Sequence, residues 1–408
     1  MEQPELIPHL FRTEYRKIVS VLYRRFGFGQ METAEDIAAD TFVTAAQTWP
    51  MRGIPPNPVA WLYNVARNKA KNHLQRETVF NEKVEPELTH SFSGLYEQEI
   101  DLSPRNINDS QLQMMFAICH PAIPPEAQIG LSLRILCGFG IDEIAAAFLS
   151  NKDTINKRLF RAKEKLRKGK VRIELPNAAE LDERLEPVLR TIYLLFNEGY
   201  YSVSQNQVLR KELCLEAIRL CYMLIDNTET NKPGVNALLA LMLFHASRFE
   251  ARVGKDGELI LYDDQDTSLW DTDLISRASY FFHCAAGGDT LSKYHLEAGI
   301  AWWNTQKTDS AEKWESVLQL YNQLLAIEYS PVAALNRTYA LSKTSGKEMA
   351  IREAEQLKLE NYPFYFTLLG DLYTGIDTEM ARKNLLKGLS ITKSDFDKQA
   401  IRRKIDLL

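Results

Sequence analysis

Cysteine is scarce in this 408-residue chain: Cys119, Cys137, Cys214, Cys221 and Cys284 are odd in number, scattered, and never in a CxxC pair. That excludes a disulfide framework and a zinc ribbon, and leaves reduced, mostly buried thiols as the expectation. Long apolar runs are also missing. None reaches the about 20 residues that a spanning helix needs, and the start MEQPELIPHL lacks the pattern of a signal peptide. A cytoplasmic protein with no membrane partner is expected. Positive charge is not in excess either, with 49 Lys and Arg against 54 Asp and Glu, a net −5. The chain as a whole is therefore no general nucleic-acid binder, and any such affinity has to be local.

Catalytic patterns are lacking too. There is no Ser/His/Asp or Cys/His arrangement, Gly-rich phosphate loop or HExxH, so neither an enzyme nor a cofactor is expected. The acidic group Asp256, Glu258, Asp263, Asp264 and Asp266 lacks the spacing of a calcium loop and reads as a turn and helix cap before Leu269. Cys119-His120 has no second ligand pair nearby, and Pro121, Pro124 and Pro125 make helix punctuation the better account. No metal site is expected.

What is present is helical periodicity, and length allows about two to four domains. The organising stretch lies between Phe139 and Arg172. A first helix from near Gly140 has Glu143 in its first turn and Ile144, Ala145 and Phe148 as an apolar stripe. After the turn Leu149-Ser150-Asn151, with Asn151 as cap, a basic helix begins. Its Ile155, Leu159, Ala162 and Leu166 recur at helical spacing, while Asp153, Asn156, Lys157, Phe160 and Arg161 point the other way. This is a helix-turn-helix pattern, which places the N-terminal half of its second helix against DNA base edges.

Upstream, a helix from Leu6 to about Arg25 carries Leu10, Tyr15, Val19 and Leu22, and Gly27-Phe28-Gly29 ends it. Met31 to Trp49 forms a second, with Ala38, Phe42, Ala45 and Trp49 inward and Glu32, Glu35, Asp36 and Asp40 as an acidic strip with few compensating bases. A stiff loop, Arg52 to Pro58, leads into a third, capped by Asn57 with Pro58 at its first position. That helix buries Leu62, Val65, Ala66, Ala70 and Leu74. It offers Asn64, Arg67, Asn68, Lys69, Lys71, Asn72, His73 and Arg76 with Trp61 and Tyr63, a mix of cations, amides and rings suited to an unstacked DNA strand.

An AEDxxxDxF helix (Ala34, Glu35, Asp36, Asp40, Phe42), then NPxAWLYxVARNxA (Asn57 to Ala70), then a helix-turn-helix: this order resembles a bacterial RNA polymerase sigma factor of the extracytoplasmic-function group. The resemblance implies an all-α chain of two small sigma modules and a larger helical domain. Region 2 would span 6–78, an acidic flexible linker 79–108 and region 4 109–172. It further implies that Glu35, Asp36 and Asp40 dock on the clamp of the polymerase core. Trp61, Asn64, Arg67, Asn68 and Lys71 would engage the −10 strand. Lys152, Asn156, Lys157 and Phe160 would face −35 bases, with Arg158, Arg161, Lys163 and Arg167 on phosphates. Promoter DNA and the core, through clamp and flap, are the implied partners. Ala39 stands where the family usually has Gln, and Asn72-His73 where it often has Asp-Arg.

From 177 to 408 nearly everything reads as helix with short breaks. SPVAALNRTYALSKTSGKEMA and YPFYFTLLGDLYTGIDTEMA repeat a proline, an apolar helix and a Met-Ala helix at a spacing near 32, close to the tetratricopeptide period. Leu195–Ser204, Asp256–Asp271 and Ser330–Arg337 also resemble the sigma subgroup with a large tetratricopeptide-like extension, implying a regulatory domain with room for a protein or small-molecule partner. Two other classes compete. One is a stand-alone ligand-sensing helix-turn-helix regulator, which leaves the acidic helix and the 57–76 block without a role. The other is a helical scaffold with degenerate sigma motifs.

Overall fold

The computed structural model describes residues 3–84, 100–148, 150–200, 210–254, 260, 262–392 and 395–408. It forms two compact units, Met1–Leu194 and Leu195–Leu408. Among the described residues the regular elements are all helices.

In the first unit α1 (Gln3–Phe26) is the shared core element. It packs on α2 (Met31–Arg52), α3 (Pro58–Val84), α4 (Pro104–Ile118) and the wide turn Ser132–Leu136. A single apolar stripe could not serve so many neighbours. Ile18, Val19, Val21, Leu22 and Tyr23 are all buried, so the helix is apolar on several sides along its second half. Each such side chain contributes about 1.5–3 kcal/mol of burial. Gly27, at φ 71, ends α1, its N–H returning to the Tyr23 carbonyl at 2.7 Å. Phe11, Tyr15 and Phe42 join α1 to α2, with ring centroids 4.7–6.4 Å apart. Gly53, at φ 83, closes α2, and Asn57 caps α3 through the Ala60 N–H at 3.0 Å. Of the expected linker, residues 79–84 continue α3 and 104–108 belong to α4; 85–99 lie outside the described residues.

Two short helices and a longer one follow in this unit: α5 (Pro125–Leu131), α6 (Ile141–Ala147) and α7 (Lys152–Lys168). Gly130 lets α5 and α7 approach closely, since a Cβ there would lie 2.9 Å from Leu159 Cδ2. Then α8 (Leu181–Tyr200) starts within this unit. Arg184 donates to the Phe116 carbonyl at 2.8 Å, and Thr191 to the Gln128 side chain at 3.2 Å.

The second unit is built around α10 (Pro233–Ala246), which is buried at nearly every position and flanked by α9 (Lys211–Ile225), α12 (Thr272–Ala285) and α13 (Lys293–Trp303). The short α11 (Phe249–Arg252) follows it. From α13 onward each helix packs on the next: α14 (Ala311–Ile327), α15 (Pro331–Ser345), α16 (Lys347–Leu357), α17 (Pro363–Tyr373), α18 (Thr378–Ile391) and α19 (Asp395–Asp406). The sequence repeat has a physical basis here. Pro331 and Pro363 both occupy the first position of a helix, and Met349 and Met380 sit in the partner helices. Arg337 ties three helices by reaching Asn322 at 2.6 Å and Glu353. Helix α19 has no apolar periodicity to mark it in the sequence, because DFDKQAIRRKID is strongly charged; among the described side chains Ile401 is buried.

At Gly370 a Cβ would stand 2.6 Å from Leu385 Cγ, within the packed contact of α17 and α18. Gly370→Ala is therefore expected to destabilise the chain by about 1–3 kcal/mol, read as a lower urea midpoint for the helical signal at unchanged slope.

Candidate nucleic-acid interface

Helix α7 separates its two faces sharply. Ile155, Leu159, Ala162 and Leu166 are buried, while Lys152, Asp153, Asn156, Lys157, Phe160, Arg161 and Arg167 are exposed. Phe160, at 59% exposed, is a large ring held in water with no core to join. The helix carries eight Lys and Arg against Asp153 and Glu164, which concentrates positive charge that the whole chain lacks. Asn151 caps it, its Oδ1 accepting from the Thr154 N–H at 2.8 Å, and Glu143 caps the preceding α6 through the Gly140 N–H at 2.6 Å. Leu149 of the expected turn lies outside the described residues. Lys157, Arg158 and Arg161 line one groove of about 500 Å³ together with Ile123 and Ala127. Arg158 is half-buried there, its guanidinium 5.5 Å from the centre of the Phe148 ring. Lys152 pairs with Asp142 at 2.5 Å and Arg167 with Glu164 at 2.7 Å.

Lys163 does not face outward with them. Its Nζ lies 2.5 Å from Glu35 Oε1 on α2, and both side chains are only 22% exposed. Glu35 also accepts a hydrogen bond from the Tyr23 hydroxyl. Burial and then Glu35 push the Tyr23 pKa well up, so the phenol stays a donor. For Tyr15, burial, again followed by Glu35, raises it to about 12. The acidic strip of α2 is thus partly compensated, contrary to expectation, because Lys69 also reaches Asp40 at 3.2 Å. Asp36 and Glu32 are exposed and make no ion pair among the described residues. The bases come from α3 and α7, remote in sequence, so the local charge pattern could not show them.

On α3, Asn64, Asn68, Lys71, Asn72 and Arg76 are exposed. Arg67 is turned to structural use: its Nε donates to the Ile100 carbonyl at 3.0 Å and its Nη1 to Asn64 at 3.3 Å. Trp61 is half-buried edge-on to Trp49, with centroids 5.4 Å apart. His73, one of the departures, packs edge-on to Phe26 at 5.8 Å, which gives it a place in joining α3 to the end of α1. Tyr63 donates to Glu14 at 2.5 Å, and its pKa is raised by burial and by that bond.

The sigma-70 region 2 family matches residues 10–79, from α1 into α3. RNA polymerase sigma factor YlaC of Bacillus subtilis is 25% identical over 169 residues, 41% of this chain and 94% of that protein. Residues 10–79 thus resemble sigma-70 region 2, and the first unit is similar to sigma factors. A second relative, the ECF RNA polymerase sigma-E factor of Haemophilus influenzae, is 30% identical over 108 residues, 26% of this chain and 57% of that one. Uncharacterized protein R00370 of Rhizobium meliloti is 31% identical over 389 residues, 93% of this chain and 91% of its own length, so the two share one family end to end. Residues 184–286 match a family of unknown function (DUF6596). No solved structure matches the chain.

Losing the cap of α7 leaves an orphan N–H at its start. Asn151→Ala is expected to cost about 1 kcal/mol of stability and Asn151→Asp next to nothing, measured by paired urea titrations.

Proposed function

We propose that this chain is a sigma-70 family member that binds RNA polymerase core and directs promoter-specific initiation as a factor of the extracytoplasmic-function type, its second unit acting as a tetratricopeptide-like regulatory domain. The observation that carries the reading is the exposed face of α7. Lys152, Asn156, Lys157 and Phe160 stand clear of the core on the N-terminal half of a capped helix, where a major groove would receive them. Arg158, Arg161 and Arg167 flank them for phosphates, which fix register but carry no sequence information. Asp36 and Asp40 of α2 would meet the clamp along with Glu35, and Asn64, Asn68 and Lys71 of α3 would meet the −10 strand, with Trp61 and Arg67 at its edge. No bond is made or broken; the work is selection and strand opening.

One revision follows from the geometry. While Lys163 is held by Glu35, neither is free for its outside partner. A half-buried charged pair of this kind is worth about 1–2 kcal/mol. The isolated chain is then restrained, and core binding at Glu35 has to release Lys163. Lys163→Ala is expected to tighten core binding about three- to tenfold in a fluorescence-anisotropy titration; an unchanged or weaker affinity refutes the restraint.

Run-off transcription with core polymerase, the full chain and a promoter library tests the function itself. Lys157→Ala is expected to lose about tenfold or more at promoters of one −35 sequence and little elsewhere, since a base contact is worth about 1–3 kcal/mol. Arg161→Ala is expected to weaken all promoters alike. Equal losses across −35 variants for both substitutions would sink the assignment. A tight gel shift of duplex DNA without polymerase would instead favour the stand-alone regulator.

A further inference from the structure

In the second unit three arginines, Arg210, Arg248 and Arg252, make no ion pair among the described residues. Arg252 lies with its guanidinium carbon 4.0 Å from the centre of the Tyr200 ring, and the His245 ring is 4.6 Å from that same ring. Arg248 is placed beside them by its own backbone, its N–H directed at the His245 carbonyl at 3.3 Å. Its buried guanidinium stacks at 5.4 Å on Tyr262 and 5.9 Å on Trp270. Arg210 stands just before α9, its N–H bonded to the Gly199 carbonyl at 2.8 Å. Nη1 of Arg210, Nε of Arg248, Nε of Arg252 and Nδ1 of His245 are shut off from solvent, and among the described residues they find no hydrogen-bond partner.

Burying a guanidinium without a counter-charge is among the costlier things a fold can do, and three together repel one another. Glu198 is a weak counterweight: burial holds its carboxyl above the usual range in spite of Arg210. Burial, Arg248 and Arg252 in turn keep His245 neutral, so its imidazole can donate or accept without adding to the charge. Arg210, His245 and Arg252 are partly accessible elsewhere on their side chains or backbone, so the cluster lies close to the surface although its unpartnered nitrogens are covered. Planar, pre-oriented forks of this kind match oxyanions bidentately.

We propose that the cluster of Tyr200, Arg210, His245, Arg248 and Arg252 binds a small molecule through an oxyanion group, a phosphate or a carboxylate. All five residues lie within 184–286, the stretch that matches a family of unknown function. The proposal stands whether or not the chain initiates transcription.

Isothermal titration of the full chain with inorganic phosphate, and separately with malonate, in chloride buffer of matched ionic strength tests it. The expected result is saturable binding of at least one of the two at one site per chain, weakened about tenfold or more in Arg252→Gln, the loss of a charge-assisted pair. Whichever anion binds more tightly identifies the class. Far-UV circular dichroism establishes whether Arg252→Gln is folded; if it is not, Arg252→Lys, which keeps the charge and loses the fork, should bind with intermediate affinity. Saturable binding of neither anion, or affinity in the folded variant equal to that of the unaltered chain, overturns the proposal.

Discussion

Helix α1 has more neighbours than one amphipathic stripe can serve, and the first unit is organised by that demand. Because Ile18, Val19, Leu22 and Tyr23 are buried on several sides, α2, α3, α4 and the turn at Ser132–Leu136 all close on the same helix. The helices α2, α3 and α4 therefore share a core around α1. The polar consequence is local: Glu35 ends up beside Tyr15, Tyr23 and Lys163, deep enough that its partners matter more than solvent. A carboxylate on an acidic surface strip becomes the meeting point of three helices.

The second unit solves a different problem with the opposite device. Helix α10 is apolar all round, so it cannot sit at a surface and has to be surrounded. Its one buried amide, Asn236, is satisfied by Asn231 at 2.7 Å and the Lys232 carbonyl at 3.0 Å. Beyond it, the stack from α13 to α19 relies on neighbour-to-neighbour contacts, with serine and aspartate caps at Ser310, Ser330 and Asp377 setting where helices begin.

Most of these helices are legible in the sequence because their boundaries are chemical. Asn57-Pro58, Asn151, Ser330-Pro331 and Asp377 announce starts, and Gly27 and Gly53 announce ends at positive φ. The buried faces of α2 and α7 follow from spacing alone. What spacing cannot give is pairing across distance. Glu35 and Lys163 are 128 residues apart in the chain and Arg67 and Ile100 are 33 apart, so the helix that carries Glu35, Lys163 or Arg67 does not show its partner. The arginine cluster is illegible for the same reason, its members being dispersed over three helices and a loop end. Short helices of mixed charge, such as α19, escape notice because docking rather than periodicity holds them.

The Glu35–Lys163 pair has one more consequence if the docking and DNA roles proposed for its two members hold. A single internal contact that excludes both outside partners makes the two binding events help each other. Whichever partner arrives first has done the work of separating the pair, and the second finds its residue already released. Thermodynamic linkage then requires that promoter DNA strengthen the hold on core by the same factor as core strengthens the hold on DNA. Cooperative assembly would be built into one ion pair, through which the two sites touch.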